Sequence, residues 1–179
     1  MAGGSTDAAA VLVGVNRMFD LGFTKKELME RGVKLGADVP YCIMRGTALS
    51  EGIGEILTEL PAPPQCHLVI AKPQISVSTK AVYGKLRVNE LAPEEHPDID
   101  GMIRALSAGD LGGVAARLCN VFEEFLPEEY HEVFHIKNRL LELGALNAAM
   151  SGSGPTVFGI FREKTAAKAA ETALKQRYP

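Results

Sequence analysis

Three short stretches of this chain combine residue types that act on anions and hydroxyl groups. Gly3-Gly4-Ser5-Thr6-Asp7-Ala8-Ala9 runs from adjacent glycines into an Ala-rich helical pattern. Glycines let backbone N–H groups approach an anion closely, and a helix start adds unpaired donors and a positive dipole end, so the segment suits a phosphate. Gly36-Ala37-Asp38-Val39-Pro40 sets one carboxylate in a tight turn, where it could orient or deprotonate a hydroxyl. An Asx-type turn that satisfies its own backbone is the plainer alternative there. Ser151-Gly152-Ser153-Gly154-Pro155 is a second small-residue loop, open to close approach of a ligand or another backbone, with a simple hairpin turn as its alternative. A fourth pattern competes with these. His131-Glu132-Val133-Phe134-His135 has the H-E-x-x-H spacing, which on a helix puts two imidazoles one turn apart for catalytic zinc. No histidine follows His135, and only His67, His96 or scattered acids remain as a third ligand, so a partly solvated helix face is expected and no zinc.

These groups need elements to hold them. Ser5 or Thr6 is expected to cap a first helix, with Asp7 in its first turn and Val11, Leu12, Val15, Met18 and Phe19 along its apolar face. Leu21-Gly22 stops it, and Thr24-Lys25-Lys26-Glu27 is a capping box for a second helix ending near Gly36. Tyr41 to Ser50 has strand character, 51–55 reads as a turn, and Ile56 to Leu60 returns as its hairpin partner. Pro61-Ala62-Pro63-Pro64 cannot sit inside a helix or a central strand, which divides the chain into domains 1–60 and 61–179. Beyond it we expect a strand from Cys66 to Ala71, a helix near Ser78 to Leu86 and an acidic loop over 90–97. Ile99, Met102, Ile103 and Leu106 share one helix face, as do Leu111, Val114 and Leu118, and Pro127 opens a further helix ending at Gly144. Strands from Ala145 to Met150 and from Thr156 to Phe161 follow, then a helix from Thr165 to Gln176, which together read as an α+β layer of helices on a small antiparallel sheet.

Composition limits the classes of function. The 179 residues are 46% hydrophobic and 23% charged, enough for a real core in a soluble chain. A net charge of −3 and a pI near 5.8 argue against a protein that neutralises nucleic-acid phosphates. No signal peptide or membrane span is legible, so the cytoplasm is the expected location. Cys42, Cys66 and Cys119 are odd in number and lie in apolar sequence, which suits reduced packing thiols.

In order and spacing, the three motifs resemble those of the GHMP kinase superfamily. Within it the likeness is strongest to the branch that phosphorylates a cytidine-diphosphate-linked methylerythritol, and the GADVP string at 36–40 carries most of that distinction. Ile75-Ser76-Val77-Ser78-Thr79 followed by Tyr83 resembles the stretch in which that branch carries an aromatic stacked on cytosine. The resemblance runs the length of the chain. It implies a remnant of a ribosomal-protein-S5-like N-terminal domain over 1–60, ATP-binding but partial, and a ferredoxin-like C-terminal domain over 61–179. Gly3, Gly4, Ser5 and Thr6 would cradle ATP phosphates, and Asp38 would act on the substrate hydroxyl. Tyr83 would face the cytosine, with Gly152, Ser153 and Gly154 supporting the site. The implied reaction moves the γ-phosphoryl group of ATP to a 2-hydroxyl with Mg²⁺, in a monomer or weak homodimer. Family members begin with strands that carry a catalytic lysine, an adenine pocket and the first half of the glycine loop. None of these has a counterpart here, so the chain reads as a truncated form without full turnover. Another small-molecule kinase of the superfamily and a non-catalytic binding remnant are the alternatives.

Overall fold

The first helix, α1 (Gly3–Met18), begins at the two glycines rather than after them. The computed structural model describes residues 2–178 except 77–78, 87–90, 92–95 and 128–129. The expected hydroxyl cap is therefore not formed. The Ala2 carbonyl accepts both the Thr6 N–H and the Thr6 hydroxyl, each at 2.9 Å, so Ser5 and Thr6 lie inside the first turn and Asp7 beyond it. The expected apolar face is also corrected. Ala9 is buried and Ala8, Leu12 and Val13 pack beside it, whereas Val11, Val15, Met18 and Phe19 are exposed by 63%, 40%, 76% and 66%. A helix that is apolar on two sides packs only one of them here.

The capping box forms as the sequence requires. In α2 (Lys25–Gly32) the Thr24 hydroxyl accepts the Glu27 N–H while Glu27 Oε2 accepts the Thr24 N–H. This helix stops at Gly32, short of the expected Gly36, and residue 32 lies so close to the next helix that a Cβ there would be 2.9 Å from Val39 Cγ1. That next helix is a correction too. The expected strand from Tyr41 to Ser50 is instead α3 (Val39–Met44) followed by β1 (Thr47–Glu51). Pro40 sits in the first turn, where its missing N–H costs nothing, and Val39 and Ile43 lie one turn apart on the buried face. Arg45 and Gly46, both at positive φ, then end the helix. β1 pairs with β2 (Ile56–Leu60) in an antiparallel hairpin of register Glu51↔Ile56, as the sequence suggests. These elements form one compact unit, Met1–Ala62.

The second unit, Pro63–Pro179, is built on a three-stranded antiparallel sheet among the described residues. β3 (His67–Ala71) and β4 (Asn147–Met150) flank β5 (Val157–Phe161). Helices α4 (Thr79–Lys85), α5 (Ile99–Ala108) and α6 (Leu111–Ala116) follow β3, then a 3₁₀ turn over Val121–Phe125. α7 (His131–Glu142) and α8 (Lys164–Lys175) complete it. Val133, Ile136 and Leu140 on α7, Val157 and Phe161 on β5 and Ala170 on α8 are fully buried and form the core. α7 begins at His131 rather than at Pro127, whose carbonyl takes the Tyr130 N–H at 2.9 Å. Of the expected elements, the start of the helix at Ser78 and most of the 90–97 loop fall outside the described residues. The three thiols are free; Cys42 is half-buried and packs against the cluster of Ala9, Leu28, Val39 and Ile43 as expected, Cys66 is half-buried, and Cys119 is exposed and so departs from the packing role. With helices and an antiparallel sheet in both units' material, the fold is α+β.

Candidate functional site

Within the first unit, α1 presents an uncapped start. Its hydrogen-bond ladder opens with Thr6, so the N–H groups of Gly3, Gly4 and Ser5 have no partner within the helix. Gly3 and Gly4 are exposed, and a Cβ on either would meet nothing within 4 Å. The turn thus offers backbone donors and the positive end of a 16-residue helix to open space, a surface suited to an anion.

Asp38 occupies the N-cap position of α3, yet its side chain makes no hydrogen bond to that helix. The self-satisfied Asx turn is therefore not what forms, and the carboxylate stands exposed. Its backbone is held on both sides. The Asp38 carbonyl accepts the Cys42 N–H at 3.1 Å, and the Gly36 carbonyl accepts the Val39 N–H at 3.2 Å. The β1–β2 hairpin turn leans on the same stretch. Gly54, at φ 119, comes so near that a Cβ there would lie 3.4 Å from the Ala37 carbonyl oxygen. The start of α1 reaches α3 as well, with Thr6 Oγ1 3.6 Å from Cys42 Sγ. The first unit thus gathers the glycine turn and the helix that follows Asp38.

Within the second unit, the loop 151–155 is the β4–β5 hairpin turn. The Ser151 N–H donates to the Thr156 carbonyl at 2.8 Å and the Gly154 N–H to the Ser151 carbonyl at 3.0 Å. Glycine at 154 meets two demands. Its φ is 81, and a Cβ would lie 2.4 Å from Met150 Sδ. Tyr83 on α4 is 58% exposed, its ring set edge-on against Phe122 with centroids 4.8 Å apart. Thr79, one turn earlier on α4, has its hydroxyl 3.1 Å from that of Ser153.

Sequence reasoning missed the residues that brace this loop. Asn120 Nδ2 donates to the carbonyls of Met150 and Gly152, both at 2.8 Å, while its Oδ1 accepts the Phe122 N–H at 3.0 Å. Glu123, almost wholly buried, accepts the Met150 N–H at 2.7 Å and pairs with Lys137 of α7. The available signal is Asn120 followed three residues later by Glu123, a cap-and-acid spacing inside an otherwise apolar run.

The H-E-x-x-H segment has its acid engaged elsewhere. Glu132 accepts the Tyr178 hydroxyl at 2.6 Å and lies 3.6 Å from Arg177. The tyrosine hydroxyl first and the guanidinium second hold its carboxyl below the usual glutamate range, against the opposing effect of burial. His131 and His135 meet edge to face at 5.6 Å. Among the described residues no three His, Cys, Asp or Glu side chains are grouped to hold a metal ion.

Comparison with known proteins extends these local observations to the whole chain. The model of the GHMP kinases N-terminal domain matches residues 1–46, and that of the GHMP kinases C-terminal region matches 91–179. A 4-diphosphocytidyl-2-C-methyl-D-erythritol kinase of Lachnospira eligens is 53% identical over 177 residues, 99% of this chain and 61% of that protein. The enzyme of the same name from Lachnoclostridium phytofermentans is 53% identical over 170 residues, covering 95% and 58%. A crystal structure of 4-(cytidine 5′-diphospho)-2C-methyl-D-erythritol kinase superposes with a TM-score of 0.81 at 29% identity, covering 99% of this chain and 62% of that one. The chain spans about three fifths of the length of the relatives it matches. Both regions of one family architecture occur here in order, with the glycine turn and Asp38 inside the first and the braced loop inside the second, and the chain belongs to the GHMP kinases.

Proposed function

We propose that this chain carries the substrate-hydroxyl and cytidine sites, and part of the nucleotide site, of an ATP-dependent kinase. Its acceptor is the 2-hydroxyl of 4-diphosphocytidyl-2-C-methyl-D-erythritol, a step in non-mevalonate isoprenoid synthesis. The observation that carries this reading is 53% identity across 99% of the chain to a relative of that name. Phosphoryl transfer depends on positioning and charge neutralisation more than on covalent chemistry by the protein. The free N–H groups of Gly3, Gly4 and Ser5, with the adjoining Thr6, are suited to ATP phosphate oxygens. Asp38, exposed and untied to its own helix, is suited to accept or orient the proton of the attacking hydroxyl. Tyr83 offers a half-open ring face for cytosine stacking, and Gly152, Ser153 and Gly154 support that region from the adjoining hairpin.

Magnesium would come with the ATP phosphates and keep several waters, as this ion usually does at nucleotide sites. Its role would be to neutralise phosphate charge. The assignment of 1–60 to the ATP-binding domain and 61–179 to the C-terminal domain belongs to this proposal, as does a cytoplasmic location. Among the described residues no helix is long and apolar enough to cross a membrane.

The test is calorimetric titration of the chain with the cytidine-diphosphate-linked methylerythritol, then addition of Mg·ATP with ³¹P detection of a 2-phosphate. Substrate binding that is weakened but still measurable in Tyr83→Ala supports the reading. Absence of binding at millimolar substrate overturns it.

A further inference from the structure

The contacts around the 151–155 loop close on themselves. From Gly152 the path runs through the carboxamide of Asn120 to the backbone of Phe122, whose ring packs against Tyr83. From Tyr83 one turn of α4 leads back to Thr79, whose hydroxyl meets that of Ser153 in the starting loop. Every link lies within the second unit. The Phe122 ring is the neighbour against which the Tyr83 ring rests, and the Thr79–Ser153 contact ties the helix that carries Tyr83 to the same loop, so the circuit sets both the base of the side chain and the surface its ring leans on.

Asn120 is where the circuit is most concentrated. Its three hydrogen bonds, two donated and one accepted, join segments 30 and 32 residues apart to the 3₁₀ turn that follows it. No other side-chain type offers two donors and an acceptor at this length, since aspartate only accepts and serine has one donor. We propose that Asn120 is a positioning residue that fixes the Tyr83 ring for its ligand by locking it to the 151–155 loop. This rests on the cytidine reading of Tyr83 given above.

Asn120→Asp separates the two roles of the side chain. It keeps the acceptor for the Phe122 N–H, and so the local cap, but replaces both donors with an anionic oxygen facing two carbonyls. Thr79→Val cuts the opposite side of the circuit at an exposed hydroxyl and leaves Asn120 untouched. The measurements are the NMR signals of the Tyr83 ring and of the Gly152 and Ser153 amides, together with titration by cytidine 5′-diphosphate. Both variants are expected to move the Tyr83 ring signals while those of α7 and β5 stay in place. The dissociation constant for cytidine 5′-diphosphate is expected to rise about tenfold in Asn120→Asp, and to be unaffected by that change when Tyr83 is already alanine. Unmoved Tyr83 signals in the two variants would overturn the proposal, as would an equal loss of affinity with and without Tyr83. If the ring signals move but the parent chain does not bind cytidine 5′-diphosphate, the positioning role stands and the cytidine reading falls.

Discussion

The Asp38 carboxylate owes its readiness to what its backbone neighbours do: the Asp38 and Gly36 carbonyls anchor the turn, so the side chain is spared from holding it. Asp38→Asn should therefore fold normally. Measured on a form that carries out the transfer, it should lower the phosphoryl-transfer rate by roughly 10²–10⁴-fold, the usual span for a lost general base, with ATP affinity little changed. A rate within a few fold of the parent would reduce Asp38 to a turn residue. Glu123 is the opposite case, a buried acid whose work is structural. Glu123→Ala leaves the Lys137 ammonium without its partner and strands the buried Met150 N–H, and should cost about 2–4 kcal/mol in urea unfolding. Glu123→Gln keeps an acceptor for that N–H and should cost clearly less; equal losses would show that the ion pair alone matters. The glycines and the turn-held acid could be singled out in the sequence because their chemistry is local to a few residues. The bracing by Asn120 and Glu123 could not, because its other half is a pair of carbonyls and an N–H some 30 residues downstream, and local spacing records only caps.

Elements defined by local hydrogen bonds were the most legible. The capping box of α2 and the β1–β2 hairpin follow from side chains that satisfy nearby backbone groups, with Arg31 further laid 3.9 Å over the Phe23 ring. The expected strand from Tyr41 to Ser50 holds only from Thr47 onward, because short apolar runs fit helix and strand alike; Pro40 in the first turn and the burial of Val39 and Ile43 against α1 and α2 decide for helix over Tyr41 to Met44. α7 is joined to the end of the chain through Glu132 and Tyr178. Because the folded Glu132 carboxyl titrates below its unfolded value, this contact contributes stability above the ordinary glutamate range and loses it as pH falls through the lower, folded value. Tyr178→Phe should return the Glu132 titration, followed by ¹³C NMR, towards the ordinary range. It should also lower stability near neutrality, where the contact contributes, and so flatten the acid limb of the stability profile. A Glu132 titration unmoved in that variant would assign the shift instead to Arg177 and to His131 and His135 of the same helix.

At the scale of the whole molecule, the order of helices, hairpin and antiparallel sheet was readable because each hydrophobic period points to a layer that must be covered. Which side of a helix is covered was not. α1 carries apolar residues around most of its circumference; periodicity selects Val11, Leu12, Val15, Met18 and Phe19, and of these packing keeps Leu12 and adds Ala9 and Val13. That choice has a consequence for the fate of the chain in a living cell. A row of wet apolar side chains on an otherwise ordered helix is a surface that quality-control proteins can bind without unfolding the chain, so abundance is expected to respond to this stripe as well as to global stability. Replacing Met18 and Phe19 together by lysine should leave the urea midpoint nearly unchanged, since both side chains already face solvent, and should lengthen the half-life of the chain after protein synthesis is stopped. A half-life that follows the midpoint instead would mean that quality control reads the unfolded chain and is blind to the helix surface.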